Sequence, residues 1–331
     1  MTSKNYESSA DTCSALLTPQ NDRYSRSRPL SHNNGHFLCA VGISILMSSS
    51  PQLPSSPAAR AFFAALDVTA GGEKAAGPAT SLVQRRIQTL GWRNRYSQHE
   101  YHPVTVNGLT FSVQQVQGGE IEGTYGTGAT VWPAAVVLLK YLERHADVLL
   151  KDKRIVDLGA GTGITSTAAA LLGAKEVICT DGEPNVVQLA KDNLLHSVKE
   201  ISQAGVPAEM RPNSNATIRG CPVHVQEYWW GSGTIQGGNY ADIVLVADCV
   251  LPKLYPIGPL VDAIDELLGC NPNAMAILSY EYRYFQAFDP GEEFRRLCVL
   301  KRLQVENIPS SEQDPIYSVE DVELWRVKRS I

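Results

Sequence analysis

The chain has 331 residues, a formal net charge of −5, 44% hydrophobic residues and 19% charged residues. These proportions are near the globular average, which excludes wholesale disorder, and the length suits one large domain with extensions or two small ones. The mild acidity argues against broad nucleic-acid binding, which needs a strongly basic face.

Residues 1–60 are rich in Ser and Pro and show no sustained period. That composition buries too little apolar surface to offset ordering entropy, so disorder is expected there. Within it, Phe37–Met47 is apolar but only eleven residues long. A bilayer span needs about 20, and a long polar segment precedes this run, unlike a signal peptide. Met47 opens a second Ser/Pro stretch and is read as an alternative translation start. Short helices are expected at Ala58–Leu66 and Ser81–Leu90, so residues 1–90 read as a disordered or weakly helical extension. Residues 1–60 sum to +2, and residues 61–331 carry −7.

The folded part is expected from residue 91. Val104–Val113 alternates apolar and polar residues about Asn107-Gly108, a hairpin signal. A Gly-rich loop follows, up to Gly128. Pro133 suits the first turn of a helix reaching about His145. Arg154–Leu158 is a short apolar strand, then Gly159-Ala-Gly-Thr-Gly163, then a helix through Leu172. Glu176–Thr180 is the next strand, ended by Asp181, and a helix runs from Pro184 to about Lys199. Residues 201–220 read as a polar loop. Strands are expected at Val223–Gln226, Ile243–Ala247 and Ala274–Ser279, with a helix at Ile257–Leu268. A helix at Glu292–Leu300 and strands at Leu303–Ile308 and Val322–Val327 close the chain. Apolar strands bounded by helices imply a parallel sheet covered on both faces. The last two strands have no helix between them and are expected to pair antiparallel at one edge. The fold class is therefore α/β, doubly wound and Rossmann-like, preceded by a β-hairpin.

The seven cysteines (Cys13, Cys39, Cys179, Cys221, Cys249, Cys270 and Cys298) form no CxxC pair, which gives no basis for a zinc site or a disulfide framework. Cys179 and Cys249 sit in apolar runs and read as buried reduced thiols. The seven histidines are scattered, His224 reads as a packed neutral residue, and no metal is expected.

The informative unit is the strand leading into Asp157-Leu-Gly-Ala-Gly-Thr-Gly163 and then a helix. Glycines allow a sharp turn and close ligand approach, and ligands in such sheets bind at the carboxyl ends of the strands. Asp181 ends the next strand, where an acid accepts the ribose hydroxyls of a nucleotide-like cofactor. The dinucleotide pattern G-x-G-x-x-G fails: from Gly159 its third glycine position is Ile164, and from Gly161 it is Ser166. The G-x-G-x-G form after Asp157 instead resembles the first motif of S-adenosylmethionine (SAM) methyltransferases.

Val131-Trp132-Pro133-Ala-Ala, the Asp157–Gly163 loop, Glu227-Tyr-Trp-Trp-Gly231, Val246-Ala-Asp-Cys249 and Ser279-Tyr-Glu-Tyr-Arg283 follow in this order. Together they resemble the seven-strand lysine methyltransferases, methyltransferase family 16, over roughly residues 100–330. The resemblance implies a seven-stranded, mostly parallel sheet with an antiparallel edge strand. It implies SAM as cofactor, with Trp132, Asp157, Gly159, Ala160, Gly161, Asp181, Trp230 and Ala247 binding it. Trp230 is preferred to Trp229 because Gly231 follows it. Trp132 also reads as a core aromatic at a helix start, and Glu281 as a solvated loop charge.

For catalysis the resemblance implies Asp248, Tyr255 and Glu281. Asp248 would hold a lysine ammonium and aim its nitrogen at the transferred methyl group. The family motif Asp-x-x-Tyr is broken here by Leu251, and Tyr255 is the nearby candidate for the missing ring or hydroxyl. The implied partner is a protein presenting a lysine, a chaperone or AAA ATPase in kind, with no nucleic acid and no membrane. A monomer in the cytoplasm, and also the nucleus, is expected. Methylation of a small molecule or nucleic acid, a non-catalytic SAM-binding module and an NAD dehydrogenase are the competing readings. The continuation Asp248-Cys-Val-Leu argues against nucleobase enzymes, and the failed dinucleotide pattern argues against the dehydrogenase.

Overall fold

The computed structural model describes residues 91–116, 126–251, 256–269, 271–283, 285 and 288–330. All of them belong to one compact unit, Lys74–Ile331. The readings made for residues 1–90, including Met47, and for Cys13, Cys39, Cys270 and Tyr255 lie outside the described residues.

Tyr101–Val106 (β1) and Leu109–Gln114 (β2) form the expected hairpin about Asn107-Gly108. Both turn residues have positive φ, +47° and +77°, the backbone that a two-residue hairpin turn requires and that Asn and Gly tolerate. Helix α1 (Pro133–Arg144) opens on its proline and leads into the short α2 (Ala146–Leu149). The alternating part follows as β3 (Arg154–Leu158), α3 (Ile164–Leu171), β4 (Glu176–Asp181) and α4 (Pro184–Gln203). Then come β5 (Ala208–Arg211), β6 (Asn215–Ile218), β7 (Cys221–Glu227) and β8 (Ile243–Ala247). Helix α5 (Ile257–Leu268), β9 (Met275–Glu281), α6 (Pro290–Leu300), β10 (Leu303–Asn307) and β11 (Val322–Arg329) complete the chain.

The large sheet runs β10-β11-β9-β8-β3-β4-β7-β6-β5. Its centre, β9-β8-β3-β4-β7, is parallel throughout. Every residue of β3 is buried, as the middle strand of a sheet covered on both faces demands. One apolar layer joins α1, α3 and α4 to the sheet, and the other joins α5 and α6. β10 and β11 pair antiparallel, as their connection implied, with β11 one place in from the edge and β10 outermost.

The expected loop at 201–220 is corrected: β5 and β6 pair antiparallel there and extend the seven-stranded arrangement to nine. Ala216 and Ile218 face the core while Asn215 and Thr217 do not, a period-2 pattern diluted by polar residues. The hairpin β1–β2 lies against α4. The Asn193 side chain accepts from Gln114 N (2.6 Å) and donates to Gln114 O (3.0 Å), and Glu200 accepts from Ser112 N. The outer edge of β2 is thereby satisfied by a helix rather than by another strand.

The chain leaves β3 for β4 on one side and returns to β8 on the other. The reversal between β3 and β8 creates a crevice at the carboxyl ends of these strands, the place where open α/β sheets bind ligands.

Candidate functional site

A cavity of about 400 Å³ occupies that crevice. Its floor is the glycine turn after β3. Gly159 and Gly161 have φ of +65° and +56°, so side chains there are strained whatever the space. A Cβ on Gly161 would also fall 2.9 Å from Gly128 O, and one on Gly159 would fall 2.7 Å from Cys249 Sγ and 3.3 Å from the Trp230 ring. The glycines therefore let the 126–131 segment and the residues after β8 close down on the turn.

Asp181, ending β4, is tied to this floor: Gly161 N donates to its Oδ2 and Glu183 N to its Oδ1, both at 3.1 Å. Burial raises its pKa, partly opposed by these amides and that of Gly182. Aromatic walls rise on either side. Trp132 lines the cavity at the start of α1 with its Nε1 donating to Thr127 O (2.9 Å). Trp229 and Trp230 both line it, Trp230 beside Gly159 and Trp229 against Gly182, with Trp229 Nε1 donating to Glu227 (3.0 Å). Ala160 and Ala247 complete this end. Trp132, Gly159, Ala160, Gly161, Asp181, Trp230 and Ala247 are thus brought to one cavity.

Asp157 is not on its wall, which corrects the expectation that it touches the cofactor. Its side chain is fully buried, and Oδ2 accepts from Thr165 Oγ1 (2.5 Å) and Ser166 Oγ (2.7 Å), fastening the first turn of α3 to β3. Oδ1 has no partner among the described residues. Burial outweighs the two hydroxyls and pushes its pKa up to about 6. A buried carboxylate of raised pKa destabilises the fold when ionised, so its effect is absent below the unfolded value of about 3.9 and develops as pH rises through about 6. The expected result is that Asp157→Asn flattens the fall in stability between pH 4 and pH 6, a window worth about 2 kcal/mol, in urea titrations of both proteins. An unchanged slope in the variant counts against the assignment.

At the other end of the cavity stands Asp248, just past β8, with a positive φ of +58° and a side chain 2% exposed. Backbone strain of this kind persists only where the surroundings over-determine it. Here Asp248 N donates to Ser279 O (3.0 Å) and the carboxylate is gripped by Arg283 through two bonds. Glu281, the second expected catalytic acid, does not line the cavity and instead accepts from Arg93 (2.6 Å), which also pairs with Asp321. This corrects its reading as a solvated loop charge. Sequence reasoning did not assign roles to Arg283, Arg93, Glu183 or Trp229. Of these, Arg283 and Trp229 carried a signal, Arg283 as the last residue of the Ser279–Arg283 motif and Trp229 as the first tryptophan of the Glu227–Gly231 motif. Among the described residues, no cluster of His, Cys, Asp and Glu is suited to a metal ion.

The family model described as lysine methyltransferase matches residues 114–289. The protein-lysine methyltransferase METTL21E of Mus musculus is 45% identical over 237 residues, 70% of this chain and 81% of the relative. The protein N-lysine methyltransferase METTL21A of Danio rerio is 37% identical over 163 residues, 48% of this chain and 63% of the relative. The protein-lysine N-methyltransferase EFM3 of Chaetomium thermophilum is 30% identical over 164 residues, 49% of this chain and 45% of the relative. The chain thus spans under two thirds of the last two relatives.

Proposed function

Since the chain belongs to the lysine methyltransferase family, whose model covers more than half of it, we propose that it transfers methyl groups from SAM to a lysine side chain of a protein. The observation that carries this reading is one cavity with a nucleoside-type end and an acceptor-type end. The glycine turn, Asp181 and the Trp pair stand at the first, and Asp248 at the second.

The residues present fit SAM. Bare backbone at Gly159 and Gly161 accommodates close approach, Asp181 keeps lone pairs for ribose hydroxyls beyond its two amide bonds, and the indoles offer flat apolar surfaces to an adenine. Bound there, SAM supplies an electrophilic methyl group on a cationic sulfur. The chain's own work is positioning and exclusion of water, and well-oriented reactants gain on the order of 7 kcal/mol or more. A lysine is protonated at pH 7, with a reference pKa of about 10.4, so it reacts only after losing a proton. No strong base is required, because water carries that proton away. The charge of −7 on residues 61–331 is compatible with a cationic protein segment. The same reading expects a chaperone or AAA ATPase as target and a monomeric enzyme acting in the cytoplasm and nucleus.

Incubating the purified protein with a cell lysate and tritiated SAM tests the proposal. A labelled protein band that yields methyllysine on hydrolysis, and vanishes with Asp181→Ala, supports it. Label in nucleic acid or small molecules, or SAM binding without any label, replaces it with one of the alternatives.

A further inference from the structure

Asp248 is the acid at the acceptor end, and its charge is already matched. Arg283 Nη1 donates to Oδ1 (2.8 Å) and Nη2 to Oδ2 (2.6 Å), while Glu281 N donates to Oδ1 (3.1 Å). Arg283 is held in turn: Nη1 donates to Glu281 O (3.1 Å), and the guanidinium lies 5.6 Å from the centre of the Trp132 ring, itself on the cavity wall. A carboxylate has about four acceptor directions, and three are used by these bonds, leaving one on Oδ2.

The acids around this pair are themselves engaged: the one surplus negative charge sits on Asp321, 44% exposed, and Asp181 and Glu183 stand at the nucleoside end of the cavity. Glu281 lies 3.6 Å from Arg283 and is paired with Arg93, which also holds the partly exposed Asp321. The Tyr280 hydroxyl and the Cys249 thiol are kept neutral by burial. A seat designed to trap an ammonium ion would present an unpaired carboxylate, and this one presents a carboxylate already bound to a permanent cation.

We propose that Arg283 makes the acceptor end selective for the unprotonated lysine amine, acting as a positioning residue through Asp248. It cancels the carboxylate's pull on an ammonium ion and leaves one lone pair of Oδ2 to accept a single N–H of the neutral amine. That hydrogen bond directs the nitrogen lone pair into the cavity. The nitrogen then forms its bond to the methyl carbon as the carbon–sulfur bond breaks with its pair remaining on sulfur. The resulting methylammonium releases one proton to water. The inference rests on the methyltransferase reading and revises the role expected for Asp248, from holder of an ammonium to acceptor for a neutral amine.

The test is the pH dependence of the single-turnover rate at saturating substrate, the probe being the protein labelled in the lysate assay, purified. In the wild type the acidic limb lies below the ordinary lysine value of about 10.4. Arg283→Gln leaves Asp248 free to hold an ammonium, so the limb moves up by about one pH unit. The rate then falls about tenfold at pH 7, the deficit shrinks towards pH 10, and KM does not rise. Arg283→Lys keeps the cation and the wild-type limb, at a lower plateau because the two-pronged grip is lost. Circular dichroism and binding of S-adenosylhomocysteine establish that the variants are folded with the cofactor end intact. A limb unmoved in Arg283→Gln overturns the inference and leaves the methyltransferase reading standing, whereas absence of any labelled protein removes both. Should Arg283→Gln fail to fold, a limb displaced in Arg283→Lys, or a wild-type rate still climbing tenfold per unit at pH 10, overturns it equally.

Discussion

Asp181→Ala lowers the affinity for SAM by about two orders of magnitude or more, and Glu183→Ala by less than about tenfold, when both are titrated by calorimetry. Both acids reach the cavity, but they are held differently. Asp181 is fixed by the amides of Gly161 and Glu183, so its remaining lone pairs are aimed without further ordering. A hydrogen bond to a charged group contributes about 1.5–3 kcal/mol, and a ribose diol offers two. Removing the carboxylate also unties the glycine turn that forms the floor. The defect is one of binding and not of folding. Burial holds the Asp181 pKa above its ordinary value, so its ionised form adds nothing to stability as pH rises through that range. Unfolding midpoints near wild type, measured at pH 7, separate the two explanations. An unchanged dissociation constant in Asp181→Ala would remove the nucleoside end from the proposal.

Asp181 was legible in the sequence because its position follows from one local rule: an acid ending the strand after a glycine turn faces the crevice. Helix α5 was legible for a related reason, since its apolar residues recur at helical spacing between two apolar strands and it forms over Ile257–Leu268 as read. Asp157 shows where local rules stop. Side chains alternate along a strand, so Asp157 shares a face with Ile155, and Val156 and Leu158 share the other. Val156 and Leu158 pack into the layer of α5 and α6, which leaves Asp157 facing α3. The buried hydroxyls of Thr165 and Ser166 were the available clue, because a helix start that buries them must bury their partner too.

The pairing of Asp248 with Arg283 needed more than local reasoning. The two are 35 residues apart in sequence, and they meet because β8 and β9 are adjacent and in register, with Ala247 opposite Ser279. Residues just past each strand end then share one corner. Arg93 is more distant still, joined to Glu281 across 188 positions. Nothing in a linear motif specifies such a partner, and the motif around Glu281 therefore suggested a freer acid than the structure presents. β5 and β6 were missed for another reason: each is four residues long, so the period-2 pattern, Ala208 and Met210 in one and Ala216 and Ile218 in the other, offers only two apolar positions per strand.

Asp248→Asn abolishes methyl transfer, by at least about 100-fold, while SAM still binds. The binding residues at the far end of the cavity are untouched, so calorimetry returns a near-wild-type dissociation constant. At the acceptor end three things change together. The amide's NH2 meets the Arg283 fork donor to donor, the Arg283 charge loses its counter-ion, and a lysine amine approaching the cavity finds an unmatched cation. Removing one partner of a buried ion pair costs up to about 3–5 kcal/mol. Arg283 is 26% exposed, so a smaller loss, about 1–3 kcal/mol, is expected in urea unfolding. The double variant Asp248→Asn with Arg283→Gln separates stability from chemistry. With the stranded charge gone, two amides can pair, and more than half of the lost stability returns. Transfer does not return, because no carboxylate is left to orient the amine. Recovery of transfer along with stability would mean that Asp248 serves only to neutralise Arg283, and the nucleophile would then have to be positioned by other residues of the cavity wall.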